Sequence, residues 1–187
     1  MSDKEPEQEV VARAIQGDRE AFGRLYGYYF ERIYRFVRLR VGSPSDAADI
    51  THDVFLKALR HIERFSPRHE ASFEVWLFTL ARNTLIDGWR RPPLEIPFEG
   101  MLEEPLAGDM DSNPEKALDR LFTLEELQLA IATLTEEQRE VILLRFVEGL
   151  SARTVGVILG KQEGTVRGIQ FRAIAALGRA LRRIQGR

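Results

Sequence analysis

Three groups of residues in this 187-residue chain have types and spacings that could do chemistry. The first lies in Ser72–Arg91, SFEVWLFTLARNTLIDGWRR. At about 100° per residue on a helix, Trp76, Thr79, Asn83, Asp87 and Arg90 fall on one line. An aromatic ring can stack on a base, an amide can read a base edge, and a guanidinium can hold a phosphate. The second lies in Glu163–Arg183. There Arg167, Gly168, Phe171, Ala175, Arg179 and Arg182 share one side, with Arg172 at its edge, and Val166, Ile169, Ala173, Leu177 and Ala180 share the other. Packing gives no reason for a phenylalanine opposite a core stripe. Phe171 suits a thymine methyl, Arg167 or Arg172 suits guanine N7 and O6, and Arg179, Arg182 and Arg183 suit phosphates. The third group is Asp46, Asp49, His52 and Asp53, near the start of another helix. Asp46 favours the helix dipole. Asp49, His52 and Asp53 share a face and suit docking by a basic partner helix.

Other chemistries find no support. The chain has no cysteine, which removes thiol catalysis, disulfides and thiolate-bound zinc. His61 and His69 have no serine and carboxylate set to complete a triad, and no glycine loop is placed to cradle phosphate. Two carboxylates and one imidazole on a surface helix form a poor metal set. No catalytic residue, metal or cofactor is expected.

The elements that must position these groups read as helices throughout. Pro6–Gln16 forms a short helix with Val10, Val11, Ala14 and Ile15 inward. Gly17–Asp18 breaks it, and Asp18 caps a long helix from Arg19 to Val41 with Phe22, Leu25, Tyr26, Tyr29, Ile33, Phe36 and Val37 inward. Its tyrosines line the core with their hydroxyls at the edge. After the turn Gly42-Ser43-Pro44, a third helix runs from Ser45 to Ile62. Ser72 caps the fourth, which buries Phe73, Trp76, Leu77, Leu80, Ala81 and Thr84 and is stopped by Pro92–Pro93. Further on, Glu115–Thr133 has Leu118, Leu121, Leu124, Leu127 and Ile131 inward. Thr135–Gln138 reads as a capping box opening a helix that buries Val141, Ile142, Leu144 and Phe146 and stops at Gly149. Ser151 caps a short helix to Leu159, Gly160-Lys161-Gln162 turns, and a final helix runs to Arg183. Short helix, glycine turn and longer basic helix make a helix-turn-helix. Nothing alternates with a period of two, so no strand is expected.

Between these helical blocks, residues 92–114 are rich in proline and acid and show no sustained period, as a flexible linker does. Residues 1–91 hold 15 basic and 14 acidic side chains, residues 92–118 hold 1 and 7, and residues 119–187 hold 11 and 8. The expected organisation is all-α: a helical domain at 1–91, an acidic linker at 92–114 and a helix-turn-helix domain at 115–187. A hydrophobic fraction of 44% supports real cores. No apolar run is long enough to cross a membrane, and the acidic N-terminus is not a signal peptide, so a cytoplasmic protein without membrane insertion is expected.

The motifs together resemble a bacterial sigma factor of the sigma-70 family, in its extracytoplasmic-function (ECF) type. AFGRLY and IYRFVRLRVG resemble the family's region 2.1, DAADITHDVFLKALRHI resembles region 2.2, and SFEVWLFTLARNTLIDGWRR resembles regions 2.3 and 2.4. LTEEQREVILLRFVEGLSARTVGVILGKQEGTVRGIQFRA resembles region 4. The resemblance implies a transcription initiation factor that binds core RNA polymerase and directs it to promoter DNA. It implies −35 recognition by Thr165, Arg167, Gly168, Phe171, Arg172 and Arg179, and −10 melting by Ser66, Arg68, Trp76, Asn83, Arg90 and Arg91. The loop Ser66–Ser72 would capture a flipped base, and Asp46, Asp49, His52 and Asp53 would meet the polymerase. An anti-sigma factor is a further partner of the kind such proteins have. The chain departs from the usual pattern at Ala48, His52 and Asp53, at Thr154 where glutamate is usual, and at Ile169 and Ile174 where arginine is usual. Two other classes, a stand-alone duplex-binding regulator and a pure interaction protein, use only part of these features. The first has no need of the Trp76–Asn83 line.

Overall fold

In a computed structural model, residues 6–67, 72–89 and 129–185 are described. They are helical, with no strand among them. The first domain contains α1 (Glu7–Ile15), α2 (Arg19–Arg38), α3 (Pro44–His61), a 3-10 turn at Ile62–Arg64, and α4 (Phe73–Trp89). The second contains a helical stretch at 129–132, α5 (Glu136–Ile142), a π-turn at Leu143–Val147, α6 (Ala152–Leu159) and α7 (Glu163–Gln185).

Local chemistry sets most of these boundaries. α1 ends where Gly17 takes φ of +87°, a left-handed conformation that glycine tolerates without strain. Asp18 then caps α2, accepting from the Glu20 and Ala21 amides at 2.9 and 3.1 Å while also pairing with Arg13. Those amide bonds, with Arg13, hold its carboxyl below the usual carboxylate range. α2 stops at Arg38, three residues short of the Val41 that apolar spacing suggests. α3 starts one residue earlier than its periodicity suggests. Ser43 accepts from the Asp46 amide, and Pro44 occupies the first turn, where no amide is needed.

Leu25, Ile33, Phe36, Val54, Leu77 and Phe78 fill the centre of the first domain. α4 buries more than one face: Val75, Phe78 and Leu85 join Phe73, Leu77, Ala81 and Thr84 inside. Tyr29 is buried and donates to Glu7 at 2.7 Å, tying α2 to α1; burial and that bond raise its hydroxyl's pKa.

In the second domain the Thr135–Gln138 capping box is formed in both directions. One expectation fails here. Phe146 is 56% exposed rather than buried, and Leu143 is buried in its place. The π-turn at Leu143–Val147 widens the helix by a residue, which shifts the inward positions and swings Phe146 out. Gly149 closes the turn with φ of +68°.

The two domains pack against each other. α4 lies against α6 and α2 against the π-turn. Leu143, Leu144, Leu150, Val155, Ile158 and Leu159 form a continuous apolar cluster with the first domain's core. The linker, and Leu118 through Leu127, lie outside the described residues.

Candidate nucleic-acid interface

The helix-turn-helix is built by local rules. Ser151 Oγ accepts from the Thr154 amide at 2.9 Å to start α6. Gly160, with φ of +64°, ends it in a left-handed cap. Gly156 is required by space, because a Cβ there would meet the Lys161 carbonyl at 2.6 Å. The chain therefore turns tightly back over α6, which sets the angle at which α7 leaves. Lys161 pairs with Glu137 at 2.6 Å and Arg145 donates to Gln170 at 2.9 Å, bracing the turn and α7 against the preceding hairpin.

α7 has the two faces its sequence suggests. Val166, Ile169, Ala173 and Ala180 are buried, with Leu177 packed beside them. On the other side Arg167, Phe171, Arg172, Ala175, Arg179 and Arg182 are exposed, Thr165 is exposed on the flank, and Gly168 is half-buried. Phe171 is 77% exposed. Arg167 is held by Glu163 one turn back at 2.5 Å, which restrains its guanidinium. Gly164 and Gly168 sit inside the helix although a Cβ at either would meet nothing closer than Arg172 Nη1 at 3.7 Å, opposite Gly168. Internal packing does not demand these glycines, and each costs the helix up to about 1 kcal/mol. Together they leave the helix backbone accessible between the projecting side chains of Arg167, Phe171 and Arg172. Of the two departures from the sigma pattern on α7, Ile169 is buried and belongs to the core, while Ile174 is 47% exposed.

The α4 line is only partly open. Asn83 and Asp87 are exposed. Thr79 is half-buried and donates its hydroxyl to the Val75 carbonyl of its own helix. Trp76 is half-buried and packs against Phe65 at 5.0 Å and Phe73 at 5.5 Å between ring centroids. It is an edge of an aromatic cluster, not a free blade. Ser66 is exposed at the end of the same cluster. Arg68, Arg90 and Arg91 lie outside the described residues.

On α3, Asp46, Asp49, His52 and Asp53 are all exposed. His52 borders an aromatic patch that sequence spacing alone does not reveal: its ring lies 5.8 Å from Phe30, which stacks on Tyr34 and Phe55. Leu56 and Leu59 extend this surface at 49% and 46% exposure. Among the described residues no three histidine, aspartate or glutamate side chains converge as a metal set, and no helix is long and apolar enough to cross a membrane.

Sequence reasoning also misses two buried glutamates at the junction of the domains. Glu148 and Glu140 are 8% and 2% exposed. Glu148 accepts from Arg32 Nε at 3.1 Å and Arg35 Nε at 3.4 Å; Arg32 also reaches Glu74 at 2.7 Å. Glu140 accepts from Arg82 Nε at 2.7 Å and Arg40 Nη1 at 3.3 Å, and Arg40 also pairs with Glu136. Burial pushes the Glu148 carboxyl up, against the pull of its two arginines. The only available signal was the arginine spacing on α2, and nothing in the sequence names the partners, which lie about a hundred positions away.

Comparison with known proteins covers parts of both domains. Residues 25–92 match Sigma-70 region 2 and residues 130–184 match Sigma-70, region 4. The chain is similar to the ECF RNA polymerase sigma factor BldN of Streptomyces coelicolor, at 36% identity over 96% of this chain and 67% of that one. It is also similar to the ECF RNA polymerase sigma-E factor of Escherichia coli K12, at 34% identity over 95% of each. Among solved structures, the sigma factor RpoE of Bartonella quintana, in complex with the anti-sigma factor NepR, shares the fold with a TM-score of 0.67. The match is 23% identical and covers 86% of this chain and 96% of that one.

Proposed function

The chain belongs to the extracytoplasmic-function subfamily of sigma-70 sigma factors, and from that premise we propose how its surfaces share the work of directing core RNA polymerase to promoters. The second domain reads the −35 element as duplex, laying α7 in the major groove. Thr165, Arg167, Gly168, Phe171 and Arg172 face base edges, and Arg179 holds phosphate. The first domain holds the melted −10 element. Asn83 and the exposed edge of Trp76 contact single strand, Ser66 and Arg68 border a captured base, and Arg90 and Arg91 hold the backbone. Unpairing costs a few kcal/mol per base, and about 1–3 kcal/mol per stacked base offsets it. Asp46, Asp49, His52 and Asp53, with the Phe30 patch and Leu56 beside them, dock the polymerase.

The observation that carries this reading is Phe171. At 77% exposure it projects, with Ile174 beside it, from a face otherwise made of small and basic residues, opposite the stripe that α7 packs inward. A solvated basic tail needs no such residue. The chain performs no catalysis of its own in this scheme and acts in the cytoplasm, where polymerase and promoter meet. An anti-sigma factor is its expected regulator, as NepR is the partner of the Bartonella quintana protein.

The deciding experiment is transcription in vitro with core polymerase on a promoter library, with and without the chain. Promoter-dependent initiation only in its presence is the expected result, and no initiation in either arm defeats the reading.

A further inference from the structure

We propose that Ile174 is a second base-reading residue of α7, and that with Phe171 it makes the chain select −35 duplexes carrying thymine methyl groups on neighbouring or next-neighbouring base pairs. The inference rests on the assignment of α7 to the −35 duplex given above, and names the sequence chemistry of that site.

α7 exposes two large apolar side chains among the described residues, Phe171 at 77% and Ile174 at 47%. They stand one turn apart, about 4.5 Å along the helix axis and about 60° around it. Arg167 lies within about 20° of Ile174 on the same line, and Gly178 follows on it. The line therefore runs from a guanidinium to an aromatic ring to an aliphatic side chain, and then carries no side chain. Packing does not account for Ile174, because Ala173 and Leu177 fill the inward stripe beside it. Helix propensity does not account for it either. A β-branched side chain loses rotamer freedom in a helix, and Ile174 stands in a run of Ala173, Ala175 and Ala176, the strongest helix former.

The charges of α7 decide what this side of the helix can face. Arg172 and Arg179 are exposed, and they lie about 160° and about 140° around the axis from Ile174. Arg167, the cation on the Ile174 side, is held by Glu163 at 2.5 Å. Phosphates are therefore drawn to the Arg172–Arg179 flank, and the Phe171–Ile174 line offers them little. Sigma factors of this type usually place arginine at the position of Ile174. The exchange gives up a cation for an apolar surface.

A major groove offers such a surface one kind of partner. Guanine, adenine and cytosine present their hydrogen-bonding groups there, and thymine adds its C5-methyl. An apolar side chain over a polar edge strips water from it and returns no hydrogen bond. Over a methyl group it buries two apolar surfaces together. Base pairs are about 3.4 Å apart, so side chains about 4.5 Å apart along the helix cover neighbouring or next-neighbouring pairs.

The test uses the full chain with core polymerase and a duplex that the pair recovers from a randomised −35 pool. Each thymine of that duplex is replaced in turn by deoxyuridine, which removes the methyl group alone, and binding is followed by fluorescence anisotropy. Two thymines, one or two base pairs apart, are expected to lose about fourfold in affinity each, as one buried methyl would. Ile174→Ala is expected to abolish the methyl effect at one of them and Phe171→Ala at the other, while Ile174→Val retains both. Ile174→Arg is expected to bind more tightly at low salt, to weaken more steeply with salt by about one further counterion, and to ignore the first methyl. If Ile174→Ala weakens binding equally on thymine and deoxyuridine duplexes, or changes binding to none, the inference is overturned. A change confined to affinity for core polymerase also overturns it and gives the residue to a protein contact. If no preferred duplex is recovered, the −35 assignment falls and takes the inference with it. A preferred duplex without methyl dependence removes the inference alone.

Discussion

α4 and α7 carry the two candidate nucleic-acid faces, and they are built in opposite ways. α4 is enclosed: Phe73, Val75, Leu77, Phe78, Ala81, Thr84 and Leu85 are all buried, and its exposed side chains are few. α7 buries one stripe and opens the rest. The contrast matches the two substrates. A duplex presents a regular groove that accepts an entire helix face. A melted strand has no fixed shape, so the protein must supply the rigidity, and a helix locked into a core does so. The difference also means that most positions of α4 cannot be altered without touching the fold, whereas the open face of α7 can.

The sharpest way to break this comparison is Phe78→Ala. Phe78 is fully buried and stacks edge-on against Phe36 at 5.6 Å, so its truncation is expected to cost about 3–5 kcal/mol of stability in denaturant titration. Phe171→Ala should behave in the opposite manner. Unfolding should stay within about 0.5 kcal/mol of wild type, while −35 duplex binding weakens by about 1–3 kcal/mol, measured by fluorescence anisotropy. Equal stability losses in the two variants would erase the distinction between an enclosed and an open helix.

Finer effects sharpen it. Ser151→Ala removes the cap of α6 and should cost about 1 kcal/mol in thermal unfolding. Gly168→Ala is expected to gain up to about 1 kcal/mol of helix stability, because space exists for the methyl group. If α7 approaches bases closely, the same change weakens duplex binding; a variant that is more stable and binds equally well would remove the glycine face from the reading. The smallest effect concerns Asp18, whose folded pKa is lowered by the Ala21 amide and by Arg13. A lowered carboxylate stabilises above its ordinary pKa and loses that contribution as pH falls through the folded value. Asp18→Asn keeps a capping side chain but removes the charge, so its stability should approach that of wild type in the acid range and differ from it near neutrality.

Much of the fold was legible before any coordinate. Asp18, Thr135, Ser151 and Gly160 mark helix ends through bonds to residues two to four positions away, and such bonds depend on local chain geometry alone. The two faces of α7 follow from periodicity for the same reason. The acid face of α3 was equally readable, but the Phe30, Tyr34 and Phe55 patch beside His52 was not, since it needs α2 and α3 brought together. Trp76 reads in sequence both as an inward residue of α4 and as part of its outward line; in space it is half-buried at the edge of an aromatic cluster, because Phe65 reaches it from beyond α3.

What the sequence alone determined was therefore mostly what lies within a turn or two of helix: the all-α character, the caps, the helix-turn-helix and the exposure of Phe171. Tertiary structure alone decided what each helix meets across the seam. A one-residue widening at Leu143–Val147 turned Phe146 outward. Packing joined Glu148 to Arg32 across 116 positions and Glu140 to Arg40 across 100. A charged side chain looks the same in sequence whether it will face water or a partner, because burial is a property of the assembled surface and not of the residue.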